Sequence, residues 1–299
     1  MSEGTQFFTV TVLGCGSSGG VPRIGNDWGN CDASNPKNRR RRCSILIRAG
    51  RYDNDELASQ RDAREEGKSS NGRTNGDRHK ENTTNILIDS GCDIREQLLD
   101  ANIQHLDAVF YTHEHADHIH GIDDLRVLAL TNKKRIEVYM AQACAKQVMS
   151  AFSYCFTTPV GSNYKPILNA NLISDGGKTN INGAGGSIEI EAFLQEHGNI
   201  KSLGFRVGDF AYSCDLSALP LSSHKALKGV KLWLLDALRY RAHPCHLNVE
   251  QSVALIEELN IPKAYLTNLH IDLDYKTLNN ELPEYIEPAY DGLEIKMKL

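Results

Sequence analysis

The sequence predicts an α/β fold of two β-sheets packed face to face with helices on the outside, and three observations lead there. Strand-length runs rich in apolar and β-branched residues recur from residues 7–14 to residues 264–269. Helix-period patterns fall in the middle of the chain and near its end, so a β-rich half with an inserted helical part precedes a second β-rich half closed by a helix. The length, 299 residues, and a composition of 40% apolar and 24% charged side chains suit one large domain over residues 1–299.

Residues 7–14 alternate and carry β-branched side chains, which makes the first strand. It runs into Gly14-Cys15-Gly16-Ser17-Ser18-Gly19-Gly20, a turn no helix continues through. The turn lacks the Lys-Ser/Thr of a phosphate-binding loop and the glycine spacing of a dinucleotide fingerprint, so it reads as the wall of an active site. Strands follow at residues 43–49 and 85–90. Between them, residues 51–84 are almost wholly polar and aperiodic, too poor in apolar area to offset the entropy of ordering, and read as a flexible insertion at a hairpin tip. Residues 93–102 have helical spacing, residues 103–111 lead as a strand into a histidine cluster, and helices are expected over residues 121–131 and 141–152. Strands at residues 188–194, 202–207, 210–213 and 231–237 precede a helix over residues 248–259, which Asn248 caps. Residues 264–269 form one more strand.

A net charge of −5 argues against a general polyanion-binding protein, so nucleic acid is not an expected partner. No run approaches the roughly twenty apolar residues that span a bilayer, and the first nine residues carry no signal-peptide pattern. Eight cysteines without a CxxC pair read as reduced thiols of a cytoplasmic or nuclear compartment. The basic run Lys37 to Arg42 reads by charge alone as a solvated face, with a phosphate or nucleic-acid patch as the alternative.

The chemistry lies in Thr112-His113-Glu114-His115-Ala116-Asp117-His118. Three imidazoles and two carboxylates in seven residues suit zinc, manganese or iron. His113 and His115 project to one side of an extended strand end, and Asp117 and His118 past the turn face the other way, so one loop can hold two ions. Three downstream residues at strand ends can complete such a site: His197, Asp215 and His270. Asp215, with two oxygens, is the natural bridge. The converging ligands should place two ions about 3.5–4 Å apart.

His113-Glu114-His115-Ala116-Asp117-His118, followed by Gly121-Ile122-Asp123-Asp124-Leu125-Arg126, resembles the metallo-β-lactamase-fold hydrolases, and within them the branch of the PhnP-type cyclic phosphate phosphodiesterases. Gly19-Gly20-Val21-Pro22, Asn35-Pro36-Lys37-Asn38-Arg39-Arg40-Arg41-Arg42, Ser202-Leu203-Gly204-Phe205-Arg206, His243-Pro244-Cys245-His246-Leu247 and Asp272-Leu273-Asp274-Tyr275 extend the likeness to nearly the whole chain outside residues 51–84. The resemblance adds a third reading of the basic run, an arginine network supporting the active-site loop, which stands level with the solvated face and ahead of direct substrate contact. The resemblance implies a four-layer αββα sandwich. It implies two divalent ions, zinc or manganese: one on His113, His115 and His197, the other on Asp117, His118 and a histidine of the last strand, with Asp215 shared. It further implies a bridging hydroxide as nucleophile, Asp117 as its orienter, His246 as general acid, and Ser18, His243 and His246 as substrate contacts.

The implied activity is hydrolysis of a small cyclic or nucleotide-like phosphodiester. A tRNA-processing endonuclease, a thioester or lactone hydrolase, and a binding protein on a weakened hydrolase fold are the alternatives. A homodimer is compatible with the sequence.

Two positions depart from the resembled pattern. Asn268 stands where a metal-binding histidine is expected. His270, on the same face two residues on, is the favoured substitute, with the Asn268 amide as the other choice. Cys31 alone remains of an N-terminal cysteine cluster, and no structural zinc is expected.

Overall fold

The computed structural model of the chain describes residues 7–50 and 82–299. Two seven-stranded sheets form its middle layers. The first contains β1 (Phe7–Gly14), β2 (Ser44–Gly50), β3 (Thr83–Ile88), β4 (Ala108–Phe110), β5 (Ile136–Met140), β6 (Leu168–Leu172) and β14 (Glu294–Lys298), in the order β14-β1-β2-β3-β4-β5-β6. The second contains β7 (Lys178–Gly183), β8 (Gly186–His197), β9 (Ile200–Val207), β10 (Phe210–Ser213), β11 (Leu232–Asp236), β12 (Ala264–Thr267) and β13 (Ile286–Pro288), in reverse numerical order. Each sheet is antiparallel along one half and parallel along the other: β3 to β6 run parallel in the first, β10 to β13 in the second.

The alternation of side chains builds the layers. Phe8, Val10 and Val12 of β1, Ile45 and Ile47 of β2, and Ile86 and Ile88 of β3 meet Ile188, Ile190, Phe205, Phe210 and Tyr212 of the opposite sheet. Leu46, Leu87 and Val109 point the other way, under α1 (Ile94–Asp100) and α4 (Gln142–Phe156), the first and fourth helices in chain order. Ala211, Trp233, Leu235 and Leu266 do the same on the far side, beneath α6 (Val249–Glu258). The short helices α2 (Ala116–Ile119), α3 (Arg126–Asn132), α5 (Leu221–Leu227) and α7 (Tyr275–Glu281) complete the set. Strands buried on both faces read as unbroken apolar runs, and full burial of each large side chain is worth about 1.5–3 kcal/mol. This is the αββα sandwich expected from the motifs. Among the described residues no helix is long and apolar enough to cross a membrane.

Several expectations shift. β3 begins at Thr83, so Thr83 and Thr84 are strand residues and not part of the polar insertion; β-branched side chains favour the ladder over the polar run that precedes them. Residues 51–81, the rest of the expected insertion, lie outside the described residues; Gly50 and Thr83, which flank them, are paired between β2 and β3. The strand expected over residues 103–111 shrinks to Ala108–Phe110. Asn248 caps α6 in a full capping box with Gln251, as the sequence suggested, worth about 1 kcal/mol.

Within the basic run Arg40, Arg41 and Arg42 are scaffold, while Arg39 is exposed. Arg40 is 2% exposed and donates to the His270 and Leu273 carbonyls at 3.3 and 2.7 Å. Arg41 pairs with Asp100 and Asp291, and Arg42 with Asp93. Cys31 packs with Val21, Trp28 and Ile271, its thiol donating to the Ile271 and Leu273 carbonyls.

Candidate metal centre

Parallel strands present their C-terminal ends to a common edge, the usual place for a site in open α/β sheets. Asp89 follows β3, the Thr112–His118 stretch follows β4, Asp215 follows β10, Asp236 ends β11 and Asn268 follows β12. His197 closes β8 beside them. Asp89, Asp215 and Asn268 have φ of 64°, 55° and 61°, left-handed conformations that Asp and Asn tolerate better than most residues. Such backbone costs on the order of 1–3 kcal/mol each and turns the chain sharply enough to aim the side chain across the strand end.

His113, His115, His197 and Asp215 bring one ligand atom each within 4.8 Å of one another, and His118, Cys214 and Asp215 do likewise. Asp215 joins the groups with separate oxygens. Its Oδ2 lies 3.6 Å from His113 Nε2 and 3.5 Å from His197 Nε2, whereas Oδ1 lies 3.5 Å from His118 Nε2. His115 Nδ1 is 2.9 Å from His113 Nε2 and 3.3 Å from His197 Nε2. Asp117 Oδ2 is 3.5 Å from His118 Nε2.

The donor set fits metal ions because each buried ring is pinned from behind. His118 Nδ1 donates to Asp89 at 2.7 Å. His197 Nδ1 donates to the Cys245 carbonyl at 2.7 Å. His113 Nδ1 lies 2.9 Å from the Thr112 hydroxyl, which itself donates to Asp89 at 2.9 Å. With the outward nitrogens protonated, the inward Nε2 atoms carry lone pairs, the form in which imidazole binds metal. Burial, with His118 and the other imidazoles, holds His113 well below the ordinary imidazole range. Burial also opposes ionisation of Asp215, but His118 and His113 outweigh it and hold its carboxyl well below the usual range.

His246 stands at the mouth of this cluster. Its Nε2 is 4.0 Å from Asp215 Oδ2, and its Nδ1 donates to the buried Asp236 at 3.0 Å. Burial works against charge on the ring, yet the Asp236 hydrogen bond and the charges of Asp236 and Asp215 push its pKa up to about 9. His243 is half-buried, its ring centroid 5.0 Å from that of His246. Ser18 is exposed in the glycine turn, its carbonyl accepting from Arg42 Nε at 3.2 Å.

The favoured substitute in the last strand needs correction. His270 turns away from the cluster: its ring meets Arg23 through Nε2, and Nδ1 lies 3.2 Å from Asp272. Asn268 faces the centre, its amide nitrogen 3.1 Å from Asp215 Oδ1 and 3.2 Å from His246 Nδ1. The left-handed turn at Asn268 breaks the two-residue alternation that put both side chains on one face.

Asp89, Thr112 and Asp236 were missed in the sequence. A signal existed: Leu87-Ile88-Asp89 and Leu234-Leu235-Asp236 each end an apolar strand in an acid, as Ser213-Cys214-Asp215 ends β10. An acid there is buried and needs a partner. Asp89→Asn is expected to weaken metal binding about 10–100-fold, the usual cost of losing the group behind a ligating histidine, measured by competition with a chelator of known affinity. Unchanged affinity would remove Asp89 from the centre.

The geometry agrees with the comparisons to known proteins. The chain belongs to the β-lactamase superfamily: the family model described as "Beta-lactamase superfamily domain" matches residues 84–271. Among solved structures it is similar to a new diphosphatase from the PhnP family, with 30% identity, a TM-score of 0.78 and 98% of each chain covered. Zinc-bound PqqB from Methylobacterium extorquens (15% identity, TM-score 0.65, 96% of this chain and 99% of that one) and the short form of human tRNase Z (16%, 0.59, 96% and 98%) share the fold. An octanoyltransferase of Porphyromonas gingivalis is 30% identical over 287 residues, which are 95% of this chain and 50% of that protein. The chain thus spans about half the length of the curated relative it matches.

Proposed function

We propose that the protein is a dinuclear metal-dependent phosphoric diester hydrolase acting on a small phosphodiester. The observation that carries the reading is the Asp236–His246 pair, a proton donor held beside the Asp215 carboxylate. His113, His115, His197 and Asp215 would hold one divalent ion, and Asp117, His118, Asp215 and Asn268 the other. Bound there, the ions supply Lewis-acid neutralisation of phosphoryl oxygens and acidify water. Asp117, at the outer side of the cluster, is suited to orient that water. His246 delivers its Nε2 proton to the departing oxygen, and Asp236 keeps the ring turned for the transfer while stabilising its charged form. His243, whose ring packs against that of His246, and Ser18 of the glycine turn would contact the substrate.

The likeness to a PhnP-family diphosphatase supports a phosphoryl centre. Hydrolysis of an acyl thioester, the alternative suggested by the octanoyltransferase relative, breaks the C–S bond and releases a weakly basic thiolate that departs without a proton, so the Asp236–His246 pair would have no acid to supply. Metal-reconstituted protein assayed against bis(p-nitrophenyl) phosphate, 2′,3′- and 3′,5′-cyclic nucleotides, a phosphoribosyl cyclic phosphate and an acyl thioester tests the reading. Turnover of at least one phosphodiester is expected. Turnover of the thioester alone would overturn it.

A further inference from the structure

The two halves of the cluster offer different chemistry. Around Asp215 Oδ2 stand the imidazoles of His113, His115 and His197, which with the carboxylate make four donors, the tetrahedral complement of zinc. Around Oδ1 stands a single imidazole, His118, with the Asp117 carboxylate beyond it and the Asn268 amide beside it, its nitrogen towards Oδ1, so that the amide must turn over to present its oxygen to a cation. The imidazole of His270 is engaged elsewhere, with Arg23 and Asp272. Oδ1 is also the more occupied oxygen, since the Cys214 thiol donates to it at 3.0 Å and the Asn268 amide at 3.1 Å. A cation taking that lone pair must displace one of these donors, whereas Oδ2 faces imidazole nitrogens that bind the same cation.

We infer that the two positions are unequal: the His113–His115–His197 position retains zinc, while the Asp117–His118–Asn268 position is an exchangeable, oxygen-rich site that favours manganese. Imidazole suits zinc, and carboxylate and amide oxygens suit harder ions. Losing one imidazole weakens the second position by at least about tenfold, since loss of a group merely behind a ligand already costs that much. Working enzyme would then carry one resident zinc and one ion drawn from the medium. This inference rests on the dinuclear reading above.

The test is metal content, not activity. Chelator-stripped protein is dialysed against zinc and then manganese, zinc is counted by elemental analysis, and bound manganese is followed by its paramagnetic resonance signal. Wild type should hold one zinc through extended dialysis and bind manganese at least tenfold more weakly at a second position. Asn268→His should hold two zinc ions, Asn268→Asp should bind manganese more tightly than wild type, and His270→Ala should match wild type. Two zinc ions held equally by wild type would overturn the inequality while leaving the dinuclear reading intact. No second ion of either kind, in wild type or Asn268→His, would overturn both. An unchanged second affinity in both Asn268 variants would remove Asn268 from the site.

Discussion

Asp215→Ala is expected to lose both metal ions and at least about 10³-fold in turnover, more than the 10²–10³ that follows removal of one preorganised donor. The reason is geometric. One carboxylate faces His113 and His197 with Oδ2 and His118 with Oδ1, so truncation deprives both positions at once. No other carboxylate among the described residues reaches both groups, since Asp117 contacts His118 alone of the four ligating rings. Metal content and turnover of bis(p-nitrophenyl) phosphate, measured on the same preparation, check it. Retention of two ions, or activity within tenfold of wild type, would show that Asp215 is not the bridge.

His246→Ala is expected to slow hydrolysis about 10²–10⁴-fold for substrates with an alkoxide leaving group, the range for general acid catalysis. The loss should be much smaller with p-nitrophenolate, which departs without a proton. Equal losses on both would mean that His246 binds or positions substrate and donates nothing. For a general acid the protonated form is the active one, so in that role rate should hold below the His246 pKa and fall above it. Because Asp236 and Asp215 favour the imidazolium, that fall lies above the ordinary imidazole range, and Asp236→Asn should move it to lower pH.

Much of this was legible before any coordinates. Of the interior strands, β1, β2 and β11, rich in Val, Ile, Leu and Phe, were legible, as were β9 and β10, whereas β5 was not, although its Ile136, Val138 and Met140 are buried. Edge strands β6 and β7 were not legible either: in β6 the asparagines Asn169 and Asn171 turn inward to bond Glu137 while Ala170 and Leu172 are exposed, and β7 keeps Lys178, Asn180 and Asn182 in water. β13 has only three residues, and β14, Glu294-Ile295-Lys296-Met297-Lys298, is a charged edge strand with two apolar positions.

At the centre, the residues of the histidine motif read directly because their types are rare in combination. His197 and Asp215 read because each ends a strand. The distinction between Asn268 and His270 was invisible, since it depends on a single left-handed φ that sequence spacing does not encode. Asp89, behind His118, and Asp236, behind His246, were hidden in the same way: a strand-end acid gives no sign of which ring it will meet.

The pairing of β14 with β1 has a consequence for how the chain is made. Every other neighbour in the first sheet is supplied by residues 7–172, but the strand that covers the outer edge of β1 comes from residues 294–298, after the whole second sheet. During synthesis the edge carrying Phe8, Val10 and Val12 therefore waits, its backbone N–H and C=O groups open to pairing, until translation has passed residue 298. A nascent chain stalled before that point presents a nearly finished sheet with a free, apolar border, and this is where recruitment by chaperones or by a second nascent chain should concentrate.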